Sequence, residues 1–111
     1  MDKVFLILTS GDKEVHEEVG FKYAFNALKH KWMKEVRVIL WGPTERLAAE
    51  DKDFKKEIQN LRDGGVQVLA CKACSDNYGV SEILSSQGID VQYVGTLVAD
   101  MLKQGWHQLT F

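Results

Sequence analysis

Val66-Gln67-Val68-Leu69-Ala70-Cys71-Lys72-Ala73-Cys74 is the stretch that decides the fold. A short, largely apolar run rich in β-branched residues, preceded by Gly64-Gly65, is a strand covered on both faces, and two thiols follow directly where it ends. Two more runs of the same kind occupy residues 3–9 and 36–41, followed by the turn signals Ser10-Gly11-Asp12 and Gly42-Pro43-Thr44. Between them lies a helical pattern with apolar positions at Val15, Val19, Tyr23, Ala27 and Leu28, continuing to Trp32.

Beyond the second run, Thr44 suits an N-cap, with Glu45 in the first turn and Leu47, Phe54, Ile58 and Leu61 on one face; Asp51 and Asp53 are candidates to divide this segment into two helices. Gly79 closes a short helical turn after the cysteines, Ser81 can cap another through Leu84, and Gly88 ends it. Residues 90–94 form a fourth strand, 96–103 a helix ended by Gly105, and 106–111 a fifth strand. Alternating strands and helices with short connections predict a three-layer α/β/α sandwich on a mostly parallel five-stranded sheet. With 111 residues the chain forms a single domain over residues 1–111.

The 45% hydrophobic and 27% charged composition is that of an ordinary globular protein. Fourteen basic residues are scattered among sixteen acidic ones for a net charge of −2, which argues against a nucleic-acid partner. Nothing approaches a membrane span, and the run from Val4 to Leu8 is too short for an export signal. A reducing cytoplasm is therefore the expected location, where two close cysteines are reactive or metal-binding rather than a structural disulfide.

In a parallel sheet the loops at residues 9–12, 41–44, 71–77 and 94–96 share the carboxyl edge, where ligands collect. The candidate site is thus Cys71 and Cys74, with Thr9, Ser10, Gly11, Trp41, Gly42, Lys72 and Gly95 around them. Cys71 ends its strand and Cys74 falls in the first helical turn, a placement that predicts a lowered thiol pKa and an available thiolate. No metal is expected, since C-x-x-C supplies only half of a zinc set and His16, His30 and His107 lie apart, as surface or helix-end residues. No cofactor is implied: Ser10-Gly11-Asp12 lacks a phosphate-loop pattern, and Ser81, Ser85 and Ser86 lack a nucleophile elbow. Trp32 and Trp41 are expected to fill core or interface volume, with Trp41 able to wall the cysteines, and Trp106 to pack at the opposite edge.

The order of signals resembles the DsrE/DsrF-like family of small sulfur-relay proteins, with its TusD-like and YchN-like branches. The residues that carry the likeness are Val4 through Asp12, Ala24 through Lys29, Gly42-Pro43, the passage from Leu61 through Val66 to Ala70-Cys71, Gly79, Gly95, and the ending from Gly105-Trp106 to Leu109-Thr110-Phe111. The resemblance implies that Cys71 accepts sulfane sulfur as a persulfide and passes it to a thiol acceptor, a sulfurtransferase-like role in which donor and acceptor are proteins or small thiols. It also implies a homo-trimer or homo-hexamer, and it matches Cys74 to the second cysteine of the YchN-like branch. The chain departs from TusD-like members at Asp76-Asn77-Tyr78, where they carry basic residues. The alternative is a non-catalytic homo-oligomeric binding module with inert cysteines, because free cysteine also serves as a small buried hydrophobe.

Overall fold

The computed structural model describes residues 1–111. The chain runs β1 (Lys3–Leu8), α1 (Lys13–Val15), a π-helical turn (His16–Gly20), α2 (Phe21–Lys29), β2 (Glu35–Leu40), α3 (Thr44–Glu50) and α4 (Lys52–Asp63). It continues through β3 (Gln67–Cys71), α5 (Lys72–Tyr78), α6 (Ser81–Ser86), β4 (Asp90–Gln92), α7 (Gly95–Lys103) and β5 (His107–Thr110). The sheet order is β4-β3-β2-β1-β5 and every pairing is parallel, with Leu8 opposite Leu40 and Leu40 opposite Ala70, so the strand ends stay level. All five predicted strands are present, shortened or shifted by one or two residues at their ends.

The two faces of the sheet are covered unequally. Val4, Leu6, Leu8, Val36, Val38, Leu40, Val66, Val68 and Ala70 pack beneath α2, α3, α4 and α6 in a cluster of 20 buried residues. The opposite side chains, Phe5, Ile7, Ile39, Leu69 and Cys71, meet Val94 and Met101 of the α7 segment and Trp106 in a cluster of eight. Successive crossovers from β1 to β4 march one way and place their helices on one face. The jump from β4 to β5, past β1, carries α7 alone to the other.

Several local expectations are corrected. The first long helix stops at Lys29, where His30 caps it and Lys31 takes a positive φ of 59°, leaving Trp32 outside the helix, exposed on this chain and stacked on His30. Its buried stripe runs through His16, Gly20, Phe21, Ala24 and Ala27, whereas Val19 is exposed, because the π-turn inserts a residue and rotates the face. Gly20 permits this packing: a Cβ there would stand 3.0 Å from Leu8 Cδ2. His16 is accordingly fully buried, not a surface histidine. Its Nε2 lies 2.6 Å from the Ser10 carbonyl, and burial depresses its pKa. Pro43, not Thr44, occupies the cap of α3, and Thr44 is its buried first residue. Asp51 does divide α3 from α4, accepting from the Phe54 N–H at 2.9 Å.

Candidate functional site

Cys71 is the last residue of β3 and the cap of α5, so the sheet fixes its backbone while its side chain joins the thinly covered face. Cys74 lies in the first turn of α5, half-buried, and like Trp41, Leu97 and Val98 it packs against the eight-residue cluster. Both thiols are free. Gly79, at φ 71°, ends α5 in the left-handed conformation that suits glycine, and keeps that helix to seven residues.

A third group completes the cluster. Gly42, at φ 96°, and Pro43 turn the chain out of β2 so that the first turn of α3 folds back over the end of β3. This buries Glu45 completely, with a carboxylate oxygen and both sulfurs within 4.8 Å of one another. Glu45 Oε1 accepts a hydrogen bond from the Gly42 N–H at 3.2 Å, while Oε2 is buried without a partner. Burial raises the carboxyl pKa to about 7, and the Gly42 N–H bonded to Oε1, with the Cys71 N–H nearby but outside hydrogen-bond geometry, offsets only part of that rise.

The expected activation by the helix start does not hold for Cys74. Burial, the hydrogen bond to the Cys71 sulfur, and the negative charges on Cys71 and Glu45 push its thiol up to about 11, against which the Gly42 N–H acts weakly. As donor atoms the two thiols and the carboxyl are one short of a closed tetrahedral zinc set.

The other predicted site residues divide into two groups. Trp41 and Gly42 stand at the thiols, and Gly95 opens α7, whose Leu97 and Val98 line the same cluster. Thr9, Ser10 and Gly11 lie in the neighbouring loop and serve local closure. Thr9 Oγ1 donates to the Phe111 carbonyl at 3.1 Å, Ser10 Oγ accepts from the Asp12 N–H at 2.9 Å, and a Gly11 Cβ would touch Pro43 at 3.5 Å. Lys72 pairs with Asp76 at 2.7 Å and sits over the Tyr93 ring, so its charge is directed along α5. Trp106 packs as expected, 6.4 Å from the Phe5 ring, with Arg37 stacked over it. A surface hollow of about 470 Å³ lies elsewhere, between α2 and α4, lined by Phe21, Phe25, Glu57 and Leu61, and it contains none of the chemical groups above.

Glu45 is the residue that sequence reasoning missed. Its spacing from Gly42, with the acid reaching back three residues to a backbone N–H, is the spacing of a capping box and was the available signal.

A family model for the DsrE/DsrF-like family matches residues 2–111. The chain belongs to the DsrE/DsrF-like family. A conserved protein of unknown function from Bacteroides thetaiotaomicron is 32% identical, with 99% of this chain and 95% of that one superposed at a TM-score of 0.95. The ychN protein of E. coli shares the fold at 16% identity, with all of both chains covered and a TM-score of 0.74. A protein of unknown function from Methanobacterium thermoautotrophicum does so at 18% identity over 97% and 96% of the two chains, with a TM-score of 0.59. No curated protein matches the sequence. No helix is long and apolar enough to cross a membrane.

Proposed function

We propose that the protein is a sulfur carrier in which Cys71 accepts sulfane sulfur as a persulfide and hands it to a thiol acceptor. The observation that carries this reading is the clustering of two free thiols and a buried carboxyl at the carboxyl end of β3, an inner strand of the sheet. Membership of a family related to sulfur-relay proteins supports it. The Cys71 thiolate attacks the outer sulfur of a donor persulfide R–S–SH; the new S–S bond forms as the old one breaks, leaving Cys71–S–SH and R–S⁻, which takes up a proton. An acceptor thiolate repeats the step on the outer sulfur and returns Cys71 as thiolate. When no acceptor is present, Cys74 attacks the inner sulfur, forming a Cys71–Cys74 disulfide and expelling hydrosulfide, and a small thiol reductant resets the pair.

The same reading places the protein in the cytoplasm as a homo-trimer or homo-hexamer, supported by large exposed apolar groups such as Tyr93 and Leu102 near the single-helix face. A second reading, a homo-oligomeric binding module with inert cysteines, draws support from the raised Cys74 pKa. Incubation of the wild type, Cys71→Ser and Cys74→Ser with a sulfane donor separates the two. The carrier reading expects an adduct of about 32 Da on wild type and Cys74→Ser, longer-lived in the latter, and none on Cys71→Ser. No adduct on any of the three establishes the inert module.

A further inference from the structure

The cluster contains a group that sulfur transfer needs and that neither thiol supplies. Attack on a sulfane sulfur begins by removing a proton from a thiol and ends by returning one to the departing thiolate, so a carrier benefits from a group that can do both. Basic side chains are the usual means, but none serves here: Lys72 is held by Asp76 and Tyr93, and His16 is bound to the Ser10 carbonyl and packed against Phe21 and Phe54 on the other face of the sheet. Glu45 stands where such a group would have to be. One carboxylate oxygen is held by the Gly42 N–H, the other is buried without a hydrogen-bond partner, and the carboxyl lies within 4.8 Å of both sulfurs.

We propose that Glu45 is the proton carrier of the thiol pair, accepting the Cys71 proton as the thiolate forms and delivering it to the leaving thiolate of the donor. The assignment rests on Cys71 being the reacting thiol, as read above. In the first step Cys71–SH and Glu45–COO⁻ become Cys71–S⁻ and Glu45–COOH. In the second, Cys71–S⁻ and R–S–SH give Cys71–S–SH and R–S⁻, and Glu45–COOH protonates R–S⁻ to R–SH. The carboxylate is regenerated, sulfur moves as a neutral atom, and no outside oxidant or reductant enters.

Burial suits the carboxyl to this work, because a group whose pKa stands near neutrality exchanges protons in both directions at little cost. Its titration is set by burial, offset in part by the Gly42 and Cys71 backbone N–H groups. The groups facing it are Cys71 and Cys74; the charges on the surrounding elements are engaged or exposed, with Lys72 paired to Asp76 on α5, Asp51 paired to Lys13 before α4, Arg46 over the Tyr78 ring, and Glu82 exposed on α6.

The test uses the Cys74→Ser protein, in which Cys71 is the single thiol, with and without Glu45→Gln, over a pH series from about 6 to 10. Two reactions are followed: alkylation by iodoacetamide, which reads thiolate without requiring sulfur transfer, and persulfide formation from glutathione persulfide. With Glu45 present, the alkylation profile is expected to show an inflection near the carboxyl pKa in addition to that of the thiol, and Glu45→Gln removes it. Persulfide formation at about pH 7.5 is expected to fall at least ~10-fold in Glu45→Gln and to converge with the parent near pH 10, where hydroxide ionises the thiol unaided. Glu45→Asp, which keeps a shorter carboxyl, is expected to move the inflection instead of erasing it. Profiles that superimpose with and without Glu45→Gln overturn the proposal, as does an equal loss at every pH, which marks a structural role only. An alkylation inflection that depends on Glu45 without any persulfide in either protein upholds the proton exchange and overturns the sulfur-carrier reading, so the two fail separately.

Discussion

The two faces of the sheet are built from alternate residues of the same strands, yet they do different work. One is sealed by four helices over an apolar cluster in which Phe21 and Phe54 meet at 4.8 Å. The other has one helix and fills its remaining width with amphipathic cover: Arg37 lies 4.5 Å from the Trp106 ring, donates to Glu35 at 3.2 Å and approaches Met101 Sδ at 3.4 Å. Cys71 points to this second face. The contrast assigns stability to the sealed face and leaves the thin one free to carry reactive groups.

Truncating each face at its deepest point tests that division. Phe54→Ala is expected to cost about 3–5 kcal/mol, since the helix layer around it cannot collapse without moving the strands. Met101→Ala, beneath the single helix α7, is expected near the lower end of the range for such truncations, about 2 kcal/mol, because α7 can settle onto the sheet. Urea unfolding of both variants checks this, and equal losses break the comparison.

The buried carboxyl at the thiol edge has a cost that depends on pH. The carboxyl of Glu45 titrates higher in the folded protein than in the unfolded chain, so its contribution is present in full below about pH 4.5 and is lost as pH rises through 7. Glu45→Gln is therefore expected to be more stable than wild type by up to about 3 kcal/mol at pH 8, with the gap closing toward pH 4, in thermal melts across that range. His16, on the sealed face, has the opposite sign. Its depressed pKa contributes stability above about pH 6.5 that is lost as pH falls through the folded value, so His16→Gln is expected to flatten the acid limb of the same stability profile.

How much of this was legible in the sequence follows the same division. Largely apolar runs around Phe5, Val38 and Val68 read directly as buried strands, and turn residues such as Gly42 and Gly79 mark where a strand and a helix end. From strand ends alone, Cys71, Cys74, Trp41 and Gly42 were placed at one edge. Glu45 was hidden because an acid in the first turn of a helix is ordinarily a solvated partner of the helix dipole; its burial comes from the direction in which the Gly42-Pro43 turn aims α3. His16 was hidden for a related reason, since the π-turn rotates the buried stripe away from Val19 and onto a histidine and a glycine, against the apolar periodicity.

The smallest effect belongs to the exposed pair beside the thiols. Lys72→Ala removes the ion pair with Asp76 on the surface of α5 and is expected to change stability by no more than about 0.5 kcal/mol in chemical denaturation. A loss several times larger would mean that the thin face depends on its charged rim, and the comparison would need revising.

The central claim, that the thin face exists to present Cys71 as a sulfur acceptor, is tested most directly by mass spectrometry of the protein isolated without reductant, trapped with a thiol-blocking reagent and digested. The account predicts an additional sulfur, about 32 Da, on the fragment carrying Cys71 and localised to that residue by fragmentation. Both cysteines recovered as unmodified thiols, even after exposure to a sulfane donor, would contradict it.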